Sequence, residues 1–176
     1  MKKIFALLAL PAALLATPAL AQSLPIPNMP TMRDFPGANE LPDPKLDYKI
    51  VFDMQTFDKP DQVNQALATV AVIINTYEKH GVTPDHLHLW AVFHGPTIAV
   101  VTDDATYKGR TGVEHNPNAA LLEQLSKAGL KMAVCGQSAM AQHYDFKSIL
   151  PVAQMNLSAT STFINLETRG YIKVNE

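Results

Sequence analysis

Cys135 is the only cysteine of this 176-residue chain, and its position points to chemistry. It stands where the apolar run 130–134 gives way to Gly136, Gln137 and Ser138. A helix that begins at these residues would direct backbone amides at the sulfur, and such amides favour a thiolate. A lone thiol cannot form a disulfide within its own chain. Cys135 is therefore either a reactive group or, since cysteine is often buried, a small residue that fills the core beside a turn.

His94 is the best predicted partner for this thiol. It follows the apolar segment Leu87–Phe93, and Gly95 and Pro96 turn the chain directly after it. If the segments before His94 and Cys135 are neighbouring parallel strands, the imidazole and the thiol meet at the sheet edge where ligands bind. A histidine there could stabilise a thiolate, move a proton or ligate a metal together with the sulfur. The plainer alternative is a histidine that hydrogen-bonds a neighbouring loop.

The same edge of the sheet collects the other candidate binding residues. Each of them comes at the carboxyl end of a predicted strand, where ligands of parallel sheets gather. These candidates are Met54, Gly95, Gly136, Gln137, Ser138 and Asn156. In an alternative interpretation Cys135 and His94, with Met54 as a third donor, hold a soft ion such as Cu(I) or Zn(II).

A second histidine pair, His86 and His88, begins the strand that ends before His94. Strand alternation puts both side chains on one face, which is an arrangement that can hold a metal. However, His88 lies on the order of 20 Å from His94 along the strand, so this pair cannot share a site with Cys135 in one subunit. We therefore expect His86 and His88 to be solvated residues at the start of the strand.

The elements that must position these residues alternate along residues 47–176. Strands are predicted at Tyr48–Met54, Leu87–Phe93, 130–134, 149–155 and 171–174. Helices are predicted between the Pro60-Asp61 start and Gly81, between the Asn116-Pro117 cap and Gly129, at 138–143 and at 158–169. This order predicts an α/β fold, a three-layer sandwich in which five mostly parallel strands lie between helices. Residues 97–115 are predicted to be irregular, with Tyr107 and Arg110 as candidates for a lid over the site.

The first 21 residues have the pattern of a secretory signal peptide. Lys2 and Lys3 precede an apolar stretch, and residues 19–21 offer a small-x-small cleavage site. Pro11 interrupts the apolar stretch, which argues against a permanent membrane anchor. We therefore expect cleavage before Gln22, a mature protein free of the membrane, and a periplasmic location.

Residues 22–46 are rich in proline and show little hydrophobic periodicity. This composition predicts an extended arm before the domain at 47–176. The arm is either a disordered leader or a segment that lies over the domain or over a neighbouring subunit.

Charge and missing motifs exclude several classes of function. Without Lys2 and Lys3 the chain has 12 basic and 16 acidic residues, a formal charge of −4, which argues against nucleic acid as a partner. The sequence has no G-x-G-x-x-G after the first strand, no phosphate-binding loop and no G-x-S-x-G elbow, so no cofactor is predicted. It has no C-x-x-C either, which excludes dithiol exchange within one chain.

Four segments carry a resemblance to a known family: KIVF at 49–52, VFHGP at 92–96, AVCGQSAM at 133–140 and LETRGY at 166–171. With them the domain resembles the DsrE/DsrF-like family, sulfur-relay proteins that include the TusD-type subunits. The resemblance implies a flavodoxin-like, Rossmann-like domain that assembles as homotrimers or homohexamers. It also implies a cysteine that accepts sulfane sulfur as a persulfide and passes it on. In this chain Cys135 would carry the persulfide, turn amides would stabilise its anion, and His94 would handle the proton.

The predicted function is that of a periplasmic protein that binds or relays sulfane sulfur on Cys135. It would be a sulfurtransferase or a sulfur carrier, with a sulfur donor or acceptor protein as its partner. Two alternatives stay open. The Cys135 and His94 edge could belong to a non-catalytic module that binds a metal or small ligand, or Cys135 could be packed inside an oligomeric interaction protein.

Overall fold

The computed structural model describes residues 25–176, so the predicted signal peptide lies outside the described residues. Five strands alternate with helices, as the hydrophobic pattern predicts. The strands are β1 (Tyr48–Met54), β2 (Leu87–Phe93), β3 (Lys131–Cys135), β4 (Ala153–Asn156) and β5 (Ile172–Asn175). The α-helices are α1 (Gln65–Lys79), α2 (Asp104–Thr111), α3 (Ala119–Lys127), α4 (Gly136–Ala141) and α5 (Ala159–Thr168). Short 3₁₀ helices form at Pro84–His86, Gly95–Val101 and Phe146–Ser148.

All strand pairs of this sheet are parallel, in the order β4-β3-β2-β1-β5. The predicted α/β fold is confirmed. β2 and β3 are neighbours, so the loops that follow them share one edge of the sheet. Among the described residues, no helix is long and apolar enough to cross a membrane.

The two faces of the sheet are covered unequally. One face packs against α1 and α3 and forms the larger core, in which Leu67 and Leu122 are completely buried. Of the helices that the structure describes, α5 covers the other face, through residues such as Phe163 and Leu166. Because strand residues alternate between faces, every second strand residue points toward the thin α5 layer. The predicted three layers are therefore present, and the α5 side leaves room beside the helix.

Helices α1 and α3 begin later along the chain than the sequence pattern predicts. α1 begins at Gln65, since the Asn64 side chain accepts a hydrogen bond from the backbone N–H of Leu67. The predicted start at Pro60-Asp61 is four or more residues too early. α3 begins after Asn118, whereas the predicted cap Asn116 is buried and donates through Nδ2 to the carbonyls of Val100 and Thr102. The buried side-chain amide of Asn116 thus joins two loops.

The segment predicted to be irregular is largely helical. It contains the 3₁₀ helix Gly95–Val101 and helix α2, whose N-cap Asp103 accepts from the N–H of Thr106. Tyr107 is completely buried and donates its hydroxyl to the carbonyl of Pro60, so the prediction that it forms a lid is wrong. Arg110 donates to the carbonyls of Gln142 and His143 at the end of α4.

The fourth strand is shorter than predicted. β4 covers only Ala153–Asn156, whereas the sequence pattern predicts a strand from residue 149. Ile149 instead forms an isolated antiparallel bridge with Thr102. Pro151 explains the late start, because proline cannot donate to a strand ladder.

The described part of the arm, residues 25–46, lies over α1. Ile26 is completely buried in the larger core. The buried Asn75 side chain of α1 accepts from the N–H of Ile26 and donates to the carbonyls of Ile26 and Met29. Thr76 accepts from the N–H of Met32. The arm is therefore held by specific hydrogen bonds, on the opposite side of the sheet from α5.

Candidate functional site

The sheet register brings His94 and Cys135 side by side. Phe93 of β2 pairs with Val134 of β3, so His94 and Cys135 are the next residues of the two strands. Both follow residues that face the larger core, so alternation turns both toward α5. Neighbouring strands lie about 4.8 Å apart, which places the imidazole and the thiol at adjacent positions of one sheet edge.

Cys135 lies at the N-terminus of α4 with its sulfur among hydrogen-bond donors. Its Sγ accepts from the N–H of Ser138 at 3.4 Å, and the residue is 5% exposed. Burial raises the pKa of the Cys135 thiol, but hydrogen bonds from the side chain and amide of Ser138 outweigh it, aided by the amides of Ala159 and Gln137. The pKa therefore lies below its ordinary value. The thiolate is the nucleophilic form, so the arrangement favours reaction at sulfur.

Gly136 lets two chain segments converge on this sulfur. A Cβ on Gly136 would lie 2.7 Å from the carbonyl oxygen of Asn156 and 3.3 Å from that of Leu157. Only glycine permits so close an approach of the loop between β4 and α5 to the start of α4. The approach brings Ala159, the first residue of α5, next to Cys135.

His94 is held by a buried carboxylate. Its Nε2 lies 2.6 Å from Oδ1 of Asp53, and its side chain is 31% exposed. The ring also meets Phe163 of α5 edge to face, with the ring centroids 6.5 Å apart. The hydrogen bond to Asp53 and the aromatic contact fix the ring at the edge of the sheet. This base with an orienting partner is the arrangement found where a nucleophile is activated.

Asp53 is the centre of a small charged network. It is 4% exposed, and besides His94 its carboxylate accepts from Lys173 Nζ at 3.1 Å and from Gln55 Nε2 at 3.0 Å, both at Oδ2. Burial raises the pKa of Asp53, but the hydrogen bonds from His94, Lys173 and Gln55 outweigh it and hold the pKa below its usual range. Asp53 is therefore ionised at neutral pH.

Cys135 and this network line one open cleft of about 640 Å³ between the sheet edge and α5. Its walls combine apolar, hydroxyl and charged side chains. The lining residues are Asp53, His94, Cys135, Gln137, Ser138, Ser158, Ala159, Thr160, Phe163, Ile164, Glu167 and Lys173. A cleft of this size accommodates a small molecule or a short chain segment.

The structure brings four of the eight predicted site residues together in this cleft. They are Cys135, His94, Gln137 and Ser138. Gly136 lies directly behind them and acts through the close approach of its backbone. Gly95 has a φ of +53° and accepts at its carbonyl from Gln142 Nε2, which ties the end of α4 to the loop after His94.

The other two predicted residues lie elsewhere. Met54 is 1% exposed in the larger core, on the opposite face of the sheet. It is the residue next to Asp53, and successive strand residues point to opposite faces. Asn156 pairs with Cys135 in the register but donates to Thr162 Oγ1 and lines a separate depression beside Trp90. In this structure neither residue lines the cleft that contains Cys135.

The second histidine pair lies at the opposite end of β2, as predicted. Nδ1 of His86 is 2.7 Å from Oδ1 of Asp47, and Nε2 of His88 is 3.9 Å from the same oxygen. Within residues 25–176 no cluster of three or more His, Cys, Asp or Glu side chains could hold a metal ion.

Sequence reasoning missed Asp53 and Lys173. The signal was present in β1, where alternation places Asp53 on the same face as Val51 and makes it a charge within a buried strand. The rule that ligands bind at the carboxyl ends of strands pointed to Met54 instead. Lys173 could not be found in this way, because only the pairing of β5 with β1 brings it to Asp53.

The domain that carries this cleft matches one family of known proteins. The model of the DsrE/DsrF-like family matches residues 49–175. A search of curated proteins finds no match. Among solved structures, a protein of unknown function from Methanobacterium thermoautotrophicum is 15% identical, with a TM-score of 0.49. That alignment covers 74% of this chain and 100% of the other. Because the family model spans β1 to β5 and includes the whole cleft, the chain belongs to the DsrE/DsrF-like family.

Proposed function

We propose that this protein binds or relays sulfane sulfur as a persulfide on Cys135, with His94 assisting. Membership of the DsrE/DsrF-like family suggests a role related to sulfur relay. The observation that carries the proposal is the thiol itself: hydrogen bonds lower its pKa, and it lines an open cleft beside a histidine held by a carboxylate. A merely structural cysteine needs neither the donors nor the cleft.

The proposed transfer uses only groups that the donor and the cleft supply. The Cys135 thiolate attacks the outer sulfur of the donor, and a new S–S bond forms as the donor's S–S bond breaks. The rest of the donor leaves with the electron pair, as sulfite from thiosulfate or as a thiolate from an organic persulfide. His94 is the nearest titratable group that could give a proton to a departing thiolate. The amides of Ser138 and Gln137 would stabilise the persulfide anion that remains.

Mass spectrometry after incubation with thiosulfate or polysulfide tests this proposal. Each added sulfur increases the protein mass by about 32 Da, and a thiol reductant removes it. We expect the adduct on the wild type and its absence in Cys135→Ser. With polysulfide, whose leaving group is a sulfur anion, His94→Gln should form the adduct more slowly by about a hundredfold, the usual size of a proton-transfer contribution. His86→Gln, at the other end of β2, is the matched control and should react like the wild type.

One observation favours a second candidate, an interaction protein with a packed thiol. Cys135 is only 5% exposed. Titration with a thiol reagent under native conditions separates the two functions. Reaction of the folded protein supports the relay, whereas a thiol that reacts only after denaturation supports the packed alternative and contradicts the relay.

Compartment and assembly complete the proposal. The protein would act in the periplasm after removal of residues 1–21, as a homotrimer or homohexamer, with a sulfur donor or acceptor protein as partner. Exposed apolar residues beside the cleft support a subunit or partner contact: Leu157 is 74% exposed and Ile164 is 58% exposed. Light scattering of the purified mature protein measures the assembly, and a monomer at all concentrations would contradict it.

A further inference from the structure

Lys173 occupies a fixed position at the cleft although it comes from the edge strand β5. The register pairs Lys173 with Val51 of β1, so its side chain points to the same face as Asp53. Its Nζ lies 3.1 Å from Asp53 Oδ2 and 4.7 Å from the centroid of the Phe163 ring. A carboxylate and the negative face of an aromatic ring both attract an ammonium group. These two contacts hold the charge of Lys173 at the wall of the cleft.

The charges that face Cys135 explain why this lysine matters. β1 contributes Asp53, the end of β2 contributes His94, α5 contributes Glu167, and β5 contributes Lys173. Among the described residues that line the cleft, Lys173 is the one permanent cation. Two carboxylates near a sulfur oppose its negative form, because like charges disfavour ionisation. Lys173 offsets the buried carboxylate, that of Asp53.

We propose that Lys173 is a positioning residue that neutralises Asp53 and thereby stabilises an anionic sulfur on Cys135. The anion is the thiolate before transfer and, if the proposed function holds, the persulfide after it. Without Lys173 the buried Asp53 carboxylate would keep only its hydrogen bonds with His94 and Gln55, and more of its negative field would act on the sulfur. The lysine thus controls the reactivity of a residue in a different strand.

A purely structural role makes a different prediction. If Lys173 only fastens the edge strand β5 to β1, its replacement would lower stability and leave the ionisation of Cys135 unchanged. Replacing both Lys173 and Asp53 would then lower stability at least as much as replacing one of them. If charge balance is the role, the double substitution should restore the ionisation of the thiol. A double-mutant cycle separates the two roles.

The experiment measures the rate of alkylation of Cys135 by iodoacetamide between pH 5 and pH 10, which brackets the ordinary thiol pKa of about 8.5. We expect Lys173→Gln to move the midpoint of the rate profile upward by roughly a few tenths of a pH unit, because a charge three strands away acts on the sulfur only at long range. Lys173→Arg keeps the charge and should retain the wild-type midpoint. The double variant Asp53→Asn/Lys173→Gln should recover most of the shift. A Lys173→Gln midpoint equal to that of the wild type, or a double variant as shifted as the single one, would overturn the inference.

The same proteins distinguish this inference from the proposed function. Alkylation needs no sulfur donor, whereas the mass increase after thiosulfate treatment does. A shifted midpoint without any adduct on the wild type supports the role of Lys173 and contradicts the relay. An adduct on the wild type with an unshifted midpoint in Lys173→Gln supports the relay and overturns the role of Lys173.

Discussion

At the scale of single residues, Asp53 combines burial with charge. Its carboxylate has three donors, His94, Lys173 and Gln55, and these compensate the loss of water. Since Asp53 is 4% exposed, it cannot exchange these partners for solvent without local opening. The same carboxylate therefore orients His94 at the cleft and contributes to the stability of the β1 and β5 pairing.

Replacing Asp53 by Asn should lower the free energy of unfolding by about 1–3 kcal/mol at pH 7, because the hydrogen bonds to a charged acceptor are weakened. The pKa of Asp53 is lowered in the folded state. Its contribution is thus complete above the unfolded pKa of about 3.9 and is lost as pH falls through the folded pKa. Urea unfolding at pH 7, 5 and 3 should show the difference between wild type and variant shrinking only below about pH 4. An equal difference at pH 3 would contradict this assignment.

At the scale of elements, the start of α4 and the loop before α5 form one unit around Cys135. The unit depends on contact between backbones, the Gly136 Cα and the carbonyls of Asn156 and Leu157. Backbone carbonyls cannot rotate away as a flexible side chain can. Two helix starts therefore meet at the sulfur only as long as residue 136 has no side chain.

Gly136→Ala should destabilise the protein by about 1–3 kcal/mol, as overpacking does in a filled site. It should also raise the midpoint of Cys135 alkylation, because the amide of Ala159 would move away from the sulfur. Gly109 in α2 is the matched control, since a Cβ there meets nothing within 4 Å. Gly109→Ala should be neutral or stabilise by about 0.5–1 kcal/mol. Equal stability of both variants would show that the close approach at Gly136 carries no constraint.

The elements also show what the sequence could predict. β1 and β2 have the predicted bounds, because their apolar runs are ended by polar residues and a Gly-Pro turn. Helices α1 and α3 begin later than predicted, since the hydrogen bonds that Asn116 and Asn118 make to distant loops are not visible in the sequence pattern. His94 and Cys135 each follow a predicted strand, so their proximity could be predicted from the sequence. The position of Lys173 could not, because it depends on the order of the strands in the sheet.

At the scale of the whole molecule, the arm and the cleft lie on opposite faces of the sheet. Asn75 fastens the arm with three hydrogen bonds, and the buried Ile26 fills the larger core beneath it. The arm thus adds to the thicker side, whereas among residues 25–176 the helix that covers the side of Cys135 is α5. The arm is therefore fastened on the face of the sheet that does not carry Cys135.

Asn75→Ala should release the arm, because the N–H of Ile26 and the carbonyl of Met29 lose their partner and the carbonyl of Ile26 keeps only the 3.4 Å bond from the N–H of Met29. We expect limited proteolysis within residues 25–46 to become about tenfold faster or more, since each lost buried hydrogen bond costs about 1–3 kcal/mol. The alkylation midpoint of Cys135 should not change. Asp34→Ala removes only the exposed ion pair to Lys79 and serves as the control. If Asn75→Ala is cleaved as slowly as the wild type, the hydrogen bonds of Asn75 do not hold the arm.

The central claim is that Cys135 carries sulfane sulfur. The most direct measurement is the intact mass of the protein isolated from its native compartment without reductant, compared before and after treatment with a thiol. The account predicts a population heavier by about 32 Da per sulfur that disappears with the thiol and is absent from Cys135→Ser. A wild-type mass without this species, in protein whose Cys135 reacts with iodoacetamide, would contradict it.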